Sequence, residues 1–289
     1  DMEHAAAYIC QRWVDEVLVN VSGKNEYPQK LIDELLEMGM VVHLNLSRIK
    51  PVTGQKQFVE MIGGYTVLTT TMNYATDRQA LAKRIMDIAG GLVGCLLTGI
   101  IFVFVGPVIY VNSPGPVFFS QIRIGKNGKS FKMYKFRSMY MDAEERRAEL
   151  MAQNKMSDGR MFKIDFDPRV IGNKILPDGT RKTGIGEFIR KTSLDELPQL
   201  WNVLKGDMSL VGPRPSLPKE VAQFEKWMYK RLSVKPGLTC FWQVSGRNNI
   251  DFEDWMKLDI SYVEDRNLWI DIKLIFKTVL VLFGDKNAS

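Results

Sequence analysis

The sequence predicts two structural units: a partial, Rossmann-like α/β domain over residues 1–78, and a mixed α+β, mainly helical domain over residues 79–289. Three observations predict this fold class. Helix-like and strand-like patterns alternate in the first unit, 24 uncharged residues occupy Ile88–Val111, and an apolar segment, Leu268–Phe283, lies near the C-terminus. We therefore expect a re-entrant membrane helix over about residues 83–112 and interfacial amphipathic helices in the second unit.

The alternation over residues 1–78 comes from five segments. In order they are a helical stretch His4–Val14, a strand Glu16–Val21, an amphipathic helix Pro28–Met38, and strands Val41–Leu46 and Tyr65–Thr70. Strands that alternate with helices are typical of a parallel sheet. No glycine-rich phosphate loop follows any of these strands, so a bound nucleotide cofactor is not expected there. The first strand of such a unit is missing and residue 1 is Asp, which indicates a trimmed or processed chain.

The uncharged run Ile88–Val111 is long enough to cross a membrane, but two features favour a hairpin that dips in and returns. Pro107 removes a backbone donor and disrupts a helix. Basic residues flank the run on both sides, and such residues normally stay on the cytoplasmic side. They are Lys83 and Arg84 before it, and Arg123, Lys126, Lys129 and Lys132 after it. A single span and a buried core helix remain the alternatives.

Two further segments have simpler interpretations. Residues 142–157 are densely charged with helical spacing, which predicts a solvated helix, and residues 158–182 carry turn signals that predict loops or short strands. The apolar segment Leu268–Phe283 is too short and too charged to span. It suits a helix in the membrane surface or, equally, a core helix. Asp271 lies on its apolar face, where we expect pairing with a buried arginine or, less often, a catalytic role.

Composition excludes several functional classes. The chain has 289 residues, 39 Lys+Arg against 33 Asp+Glu, 45% hydrophobic and 25% charged residues, which excludes a disordered chain and a polytopic membrane protein. His4 and His43 are its only histidines, so residues 44–289 hold no His-ligated zinc site and no Ser-His-Asp triad. Cys10, Cys95 and Cys240 are odd in number and far apart, which fits a reducing compartment. Any catalysis must come from carboxylates and basic residues, with or without a hard metal.

The stretch Arg190–Pro215 carries the strongest chemical signal. Ser193 and Glu196 have capping-box spacing and Gly206 is a stop signal, so we expect a helix from about residue 194 to 205. Asp195 and Glu196 then occupy its first turn, where one carboxylate can attack phosphorus while the other holds a cation or a proton. The alternative is an ordinary capped helix whose acids complement its dipole.

Basic residues in short, constrained segments accompany this acid pair. Each alone is a surface charge, but together with a helix N-terminus they indicate a polyphosphate substrate and a divalent metal. They are Lys135, Arg137, Arg190, Arg214 and Arg247.

At these positions the sequence resembles the bacterial sugar transferases, monotopic phosphoglycosyl transferases that act on polyprenyl phosphate. The resemblance covers about residues 80–284. The matching runs, in order, are Lys83-Arg84-Ile85-Met86-Asp87, Pro107, Gly115-Pro116-Val117-Phe118-Phe119, Lys135-Phe136-Arg137-Ser138-Met139, Asp167-Pro168-Arg169, Ser193-Leu194-Asp195-Glu196-Leu197-Pro198-Gln199, Gly212-Pro213-Arg214-Pro215, Lys235-Pro236-Gly237-Leu238-Thr239 and Trp242-Gln243-Val244-Ser245-Gly246-Arg247.

The resemblance implies a reaction. Asp195 would attack the β-phosphate of a UDP-sugar, UMP would leave, and undecaprenyl phosphate would attack the aspartyl-phosphosugar, starting exopolysaccharide or capsule synthesis. Asp195 and Glu196 would bind Mg²⁺, and Asp271 corresponds to a functional acid. The membrane helix would break at Pro107 and enter only the cytoplasmic leaflet of the bacterial inner membrane. The phosphates or the nucleotide would be met by Lys135, Arg137, Arg190, Arg214 and Arg247.

The resemblance leaves some matters open. UDP-glucose or UDP-galactose is favoured, while an N-acetylated sugar stays possible, and large relatives imply a homodimer. Those relatives carry membrane spans before their α/β domain, which this sequence does not include, and many have glycine where Cys240 stands. A basic membrane-surface scaffold is the alternative function, although it would not need the acid pair. A nucleic-acid partner is not expected, because a net charge of +6 is weak and not concentrated in one run.

Overall fold

A computed structural model describes residues 14–21, 28–45, 56–71, 76–150, 166–244 and 252–284, together with positions 5, 8, 9, 12 and 164. Most of the predicted helical stretch His4–Val14 therefore lies outside the described residues. The elements described in the first unit are β1 (Glu16–Val19), α1 (Gln29–Glu37), β2 (Val41–Asn45), β3 (Lys56–Ile62) and β4 (Tyr65–Thr71).

The sheet of the first unit is mixed, with strand order β1-β2-β4-β3. Strands β1 and β2 are parallel and α1 connects them, as the alternation predicts, but β4 is antiparallel to both of its neighbours. The prediction of a parallel sheet is therefore wrong for half of the strands, and β3 was not predicted. Gly63 and Gly64 explain why β3 and β4 are antiparallel. Their positive φ angles of 56° and 85° form a two-residue hairpin turn between the two strands.

The first unit packs against the second through α1. Its core is formed by buried residues of α1 and β2, and Tyr229 of the second unit packs on that core. The approach is close at Gly39, where a Cβ atom would stand 2.9 Å from the Cα of Lys230. An ion pair between Lys226 and Glu34, 3.0 Å long, closes the edge of this contact.

The second unit has eight described helices and six described strands, joined by 3₁₀ turns. They are α2 (Asp77–Asn112), β5 (Phe118–Ile124), β6 (Ser130–Phe136), α3 (Arg147–Leu150), β7 (Lys174–Ile175), β8 (Arg181–Lys182), α4 (Ile185–Lys191), α5 (Gln199–Lys205), β9 (Ser209–Val211), α6 (Pro218–Val221), β10 (Gly237–Thr239), α7 (Phe241–Val244), α8 (Phe252–Asp265) and α9 (Leu268–Gly284). The strands form three two-stranded ladders: β5 with β6 and β7 with β8 are antiparallel, and β9 with β10 is parallel.

The solvated helix predicted over residues 142–157 is largely absent from its described part. The chain makes turns over residues 141–146 and a single helical turn, α3, and residues 151–157 lie outside the described residues. The prediction of loops or short strands over residues 158–182 is confirmed for the residues described, since β7 and β8 form a small hairpin.

Helix α2 contains the uncharged run and has the length and apolar composition to cross a membrane. Thr76 caps it and forms a capping box with Gln79. The predicted break at Pro107 is absent, because the helix continues through this proline to Asn112. Only 22% of the apolar window is buried, which excludes the core-helix alternative.

Helix α2 contacts the second unit near both of its ends. Asp87 accepts hydrogen bonds of 2.9 Å from Ser209 Oγ and from the Leu210 amide. Twenty-two residues later Ile109 is fully buried in a cluster with Phe136. At about 1.5 Å per residue these contacts are about 33 Å apart, so the helix lies along the unit instead of projecting from it.

Small residues bring α2 close to α5. A Cβ atom on Gly94 would stand 2.4 Å from Leu200 Cδ1, and one on Gly91 would stand 2.8 Å from Leu204 Cδ2. Glycine lets the leucine side chains of α5 pack directly against the backbone of α2, and a larger residue would have to push them aside.

Replacing Gly94 by Ile is therefore expected to lower the free energy of unfolding by about 1–3 kcal/mol, because the new side chain must displace α5. Thermal unfolding of the detergent-solubilised chain measures this. Gly99→Ile is the matched control, since a Cβ atom there meets nothing within 4 Å. Equal stability of the two variants would contradict the packing.

Candidate active site

The acid pair lies in a tight turn between two short helices. Leu194–Glu196 form a 3₁₀ turn, and α5 begins only at Gln199 with Pro198 as its N-cap. The predicted continuous helix is wrong, because Pro198 has no N–H and its ring crowds the carbonyl one turn earlier. The predicted stop at Gly206 is confirmed by its left-handed conformation, with φ of 96°.

Ser193 is not a capping residue. Its side chain makes no capping hydrogen bond, so the predicted capping box is wrong. Its φ of 57° places a non-glycine residue in the left-handed region, an unfavourable conformation that turns the chain sharply after α4. This strained residue directly precedes the turn that carries Asp195 and Glu196.

Asp195 is the more buried of the two acids, with 8% of its surface exposed. Burial raises the pKa of its carboxyl from 3.8 to about 6, against the opposing effect of the Lys135 ammonium. Glu196 raises the same pKa and Arg190 lowers it. Asp195 is therefore mostly ionised at pH 7 but poorly solvated, which favours its action as a nucleophile or base.

Lys135 links the two carboxylates. Its Nζ atom donates to Glu196 Oε1 at 2.7 Å and lies 3.8 Å from Asp195 Oδ2. Strand β6 positions it, and Met133, two residues earlier and on the same face of the strand, lines the same cleft. The structure thus brings Lys135 together with Asp195 and Glu196, and its role in substrate binding stays a prediction.

A cleft of about 130 Å³ opens beside Glu196 and Lys135. Its walls come from β5, β6, α5, the loop after β9, β10 and α7. The lining residues are Arg123, Met133, Lys135, Glu196, Gln199, Arg214, Pro215, Gly237, Leu238, Trp242 and Gln243. Three of these residues, Arg123, Gln199 and Trp242, were not predicted as site residues. For Arg123 the reason is that a single arginine on a strand gives no pattern by itself.

Arg214 is presented to the cleft by a constrained loop. Prolines occupy the positions on both sides of it, and its carbonyl oxygen accepts a 2.7 Å hydrogen bond from the buried Arg231. The next carbonyl, of Pro215, accepts a 2.9 Å bond from Arg123 Nη1. The Arg214 guanidinium lies over the ring of Trp255, 5.8 Å from its centre. The expectation that this arginine belongs to the site agrees with its position.

The remaining basic candidates differ in where they lie relative to the cleft. Arg190 is exposed on α4 but acts electrostatically on Asp195. Arg137 is buried and donates to the carbonyl oxygens of Ser113 and Pro114, so it secures the end of α2 and does not line the cleft. Arg247 lies outside the described residues.

Asp271 also lies away from the cleft lining. Its carboxylate is 2.6 Å from Lys83 Nζ and accepts a 2.7 Å hydrogen bond from the Tyr262 hydroxyl. The expected arginine partner is thus a lysine at the start of α2. These contacts tie α9 to α2, and they occupy both oxygens of the acid that was expected among the substrate-binding residues.

The two flanking basic residues before the uncharged run are used within the protein. Lys83 pairs with Asp271, and Arg84 donates to the carbonyl oxygens of Val203 and Leu204 at the end of α5. Their charges therefore stabilise the docking of α2 on the second unit. Both side chains are engaged in contacts within the protein.

The carboxylates of Asp195 and Glu196 are hard oxygen ligands of the kind that Mg²⁺ prefers. Among the described residues no group of three or more His, Cys, Asp or Glu side chains could hold a metal by itself. The donor set therefore fits Mg²⁺ in the way that phosphoryl-transfer sites bind it, with one or two carboxylates and the substrate's own phosphate oxygens.

Known proteins match most of this chain. Residues 78–285 match the family model described as bacterial sugar transferase. The galactosyl transferase CpsE of Streptococcus agalactiae is 42% identical over 94% of this chain and 58% of its own length. The undecaprenyl-phosphate galactose phosphotransferase of Salmonella typhimurium is 39% identical over 75% of this chain and 43% of its own length.

The match also extends to a shorter relative. EpsL of Bacillus subtilis, an uncharacterized sugar transferase, is 38% identical over 69% of this chain and 86% of its own length. The chain thus spans about half the length of the larger relatives and most of the small one.

Proposed function

The chain belongs to the bacterial sugar transferase family, and from this premise we propose that it transfers a hexose 1-phosphate from a UDP-sugar to undecaprenyl phosphate and releases UMP. The observation that carries the proposal is the buried carboxylate of Asp195, held beside Lys135, which lines a cleft together with Arg123 and Arg214. A non-catalytic scaffold at the membrane surface gives no reason for an acid whose pKa burial raises to about 6.

The first step is a displacement at phosphorus. A carboxylate oxygen of Asp195 bonds to the β-phosphorus of the UDP-sugar, and the bond from that phosphorus to the bridging oxygen breaks. The bridging oxygen leaves with UMP and carries the negative charge. Lys135 supports this step because its positive charge lowers the pKa of Asp195 and keeps the carboxylate ionised.

The second step restores the enzyme. An anionic phosphate oxygen of undecaprenyl phosphate attacks the phosphorus of the aspartyl-phosphosugar, and the bond to Asp195 breaks. Glu196 is 44% exposed at its side chain, so it can accept a proton if the lipid phosphate arrives protonated. Asp195 and Glu196 would hold Mg²⁺ together with phosphate oxygens, and the ion would supply neutralisation of charge at the leaving oxygen.

The proposed location is the cytoplasmic face of the bacterial inner membrane, with α2 entering one leaflet. Two observations support the entry of α2 into one leaflet. Both ends of α2 contact the same unit. This disfavours a single transmembrane span, because a span would place one end of the helix on the far side of the membrane from the catalytic unit. Large apolar side chains are also exposed along α2 and on neighbouring elements, including Leu96, Phe104, Val111, Phe119, Trp269, Phe276 and Leu280.

A UMP-release assay tests the proposal. The detergent-solubilised chain is mixed with undecaprenyl phosphate, Mg²⁺ and, in turn, UDP-glucose, UDP-galactose and their N-acetylated forms. We expect UMP release with UDP-glucose or UDP-galactose and loss of that release with a chelator. Mass spectrometry should detect a sugar phosphate bound covalently to Asp195. Absence of UMP release with every sugar would reject the function, while release with an N-acetylated sugar alone would correct its specificity.

Lys135→Met is expected to move the acid limb of the pH–rate profile to higher pH. The ammonium lowers the pKa of Asp195, so its removal raises that pKa, and the carboxylate is protonated over a wider range of acid pH. The measurement is UMP release from pH 5 to 9. Lys174→Met, on an exposed strand, is the control, and identical acid limbs in the two variants would rule out this role of Lys135.

A further inference from the structure

Arg123 is a buried cation at the cleft. It is 7% exposed, and no carboxylate among the described residues lies within ion-pair distance of its guanidinium. Its Nη atoms donate to Pro215 O and to Gln121 Oε1, whereas its buried Nε has no hydrogen-bond partner within the described part of the chain. Glu220 and Glu196 offset this charge only from a distance, and a buried charge without a directly bonded counter-ion is costly, so its position favours a bound anion.

The same wall of the cleft carries Arg214, which likewise makes no ion pair among the described residues. Burial and, after it, the nearby Arg214 lower the pKa of Arg123 to about 10, against the opposing effect of Glu220 and Glu196. The two arginines therefore repel each other in the free protein. An anion bound between them removes this repulsion and offers the acceptors that their free N–H groups lack.

The two walls of the cleft differ in charge. One carries Lys135 with Glu196 and, behind them, Asp195, so that two acids face one base. The other carries Arg123 and Arg214, and no acid among the described residues forms an ion pair with either of them, although Glu220 lies near enough to act on Arg123 electrostatically. In-line displacement places the leaving oxygen opposite the attacking carboxylate, and the leaving group is a phosphate monoester that gains charge.

We propose that Arg123, acting with Arg214, is the binding site of the nucleotide's α-phosphate, the phosphate that leaves as UMP. This inference rests on the proposed function, because it assigns a part of the same cleft. Arg123 enters it as a substrate-binding residue, and its bond to Pro215 also fixes the loop from which Arg214 projects.

Binding of UMP to the full detergent-solubilised chain tests the inference by calorimetry, with uridine and inorganic diphosphate as additional probes. Arg123→Gln is expected to weaken UMP and diphosphate at least tenfold and to leave uridine unchanged. Arg181→Gln, on an exposed strand, is the control for lost charge. UMP affinity within twofold of the unmodified chain, in a variant with unchanged thermal stability, would overturn the inference.

Two arms keep the result interpretable. If Arg123→Gln unfolds at lower temperature, Arg123→Lys decides, since lysine keeps the charge and a donor for Pro215 but cannot bridge two phosphate oxygens. We expect at least threefold weaker UMP binding, and unaltered affinity would overturn the inference. Failure of UMP release with every UDP-sugar rejects the reaction, whereas Arg123-dependent diphosphate binding supports the anion site independently of turnover.

Discussion

Replacing Asp195 by Asn is expected to reduce UMP release at least about a thousandfold and, at the same time, to stabilise the folded chain at pH 7.5. The amide is close in shape to the carboxylate but is not nucleophilic, so the covalent step is lost. The gain in stability has a separate cause. Folding removes the Asp195 carboxylate from water, and an uncharged amide escapes most of that penalty.

The sign of the pH dependence follows from the raised pKa. Between pH 3.8 and about 6 the folded chain holds a proton on Asp195 that the unfolded chain has lost, so the free energy of unfolding falls as pH rises through this window. At about 1.36 kcal/mol per pH unit, the penalty above pH 6 approaches about 3 kcal/mol. Asp195→Asn should therefore be more stable by up to that amount at pH 7.5 and equal in stability at pH 4.

Denaturant unfolding at the two pH values measures this difference. Asp254→Asn is the control, because Asp254 is exposed in the first turn of α8 and gains no such stability. UMP release by Asp195→Asn at the unmodified rate would reject its role as nucleophile. A variant that is inactive but no more stable than the unmodified chain at pH 7.5 would instead support the catalytic role of Asp195 and contradict burial as the cause of its raised pKa.

The parts of the fold that the sequence predicts are those with strong local patterns. The uncharged run becomes α2, the apolar C-terminal segment becomes α9, and Gly206 ends α5. The acid pair and Lys135 are also predicted, because adjacent acids within a basic surrounding form a pattern in the sequence itself. Each of these predictions depends on residues that are close together along the chain.

The parts that the sequence does not predict depend on distant contacts. The left-handed conformation of Ser193 is one that no local motif in the sequence encodes. Arg123 reaches the cleft only because β5 meets the loop of Pro215, 92 positions later in the chain. The two-glycine turn at Gly63 was a local signal for a hairpin, and the alternation of helices and strands around it obscured that signal.

Removing the positive charge of Arg231 is expected to produce the largest loss of stability. Its Nη2 atom lies 2.5 Å from Asp259 Oδ2, and both side chains are almost completely buried. Arg231→Met leaves the Asp259 carboxylate in the core without its cation, which should cost about 3–5 kcal/mol at neutral pH. The cost should shrink in acid, where protonation of Asp259 removes the unpaired charge.

The matched control is an exposed ion pair on α8, the helix that carries Asp259. Lys257 lies 2.9 Å from Glu253, and both side chains are more than half exposed, so Lys257→Met should change the stability far less than Arg231→Met does. A denaturant series on the two variants decides the matter. Equal costs would mean that the Arg231–Asp259 pair contributes no more to the core than a surface pair does.

The double variant Arg231→Met with Asp259→Leu separates stability from positioning. Apolar replacement of both partners should recover most of the lost stability, because no buried charge is then unpaired. It does not restore the hydrogen bonds from Arg231 to the Arg214 carbonyl and to Ser216, so the loop that presents Arg214 stays unanchored. We therefore expect the KM for the UDP-sugar to remain at least about fivefold raised in a chain of nearly normal stability, whereas recovery of KM together with stability would assign Arg231 a purely structural role.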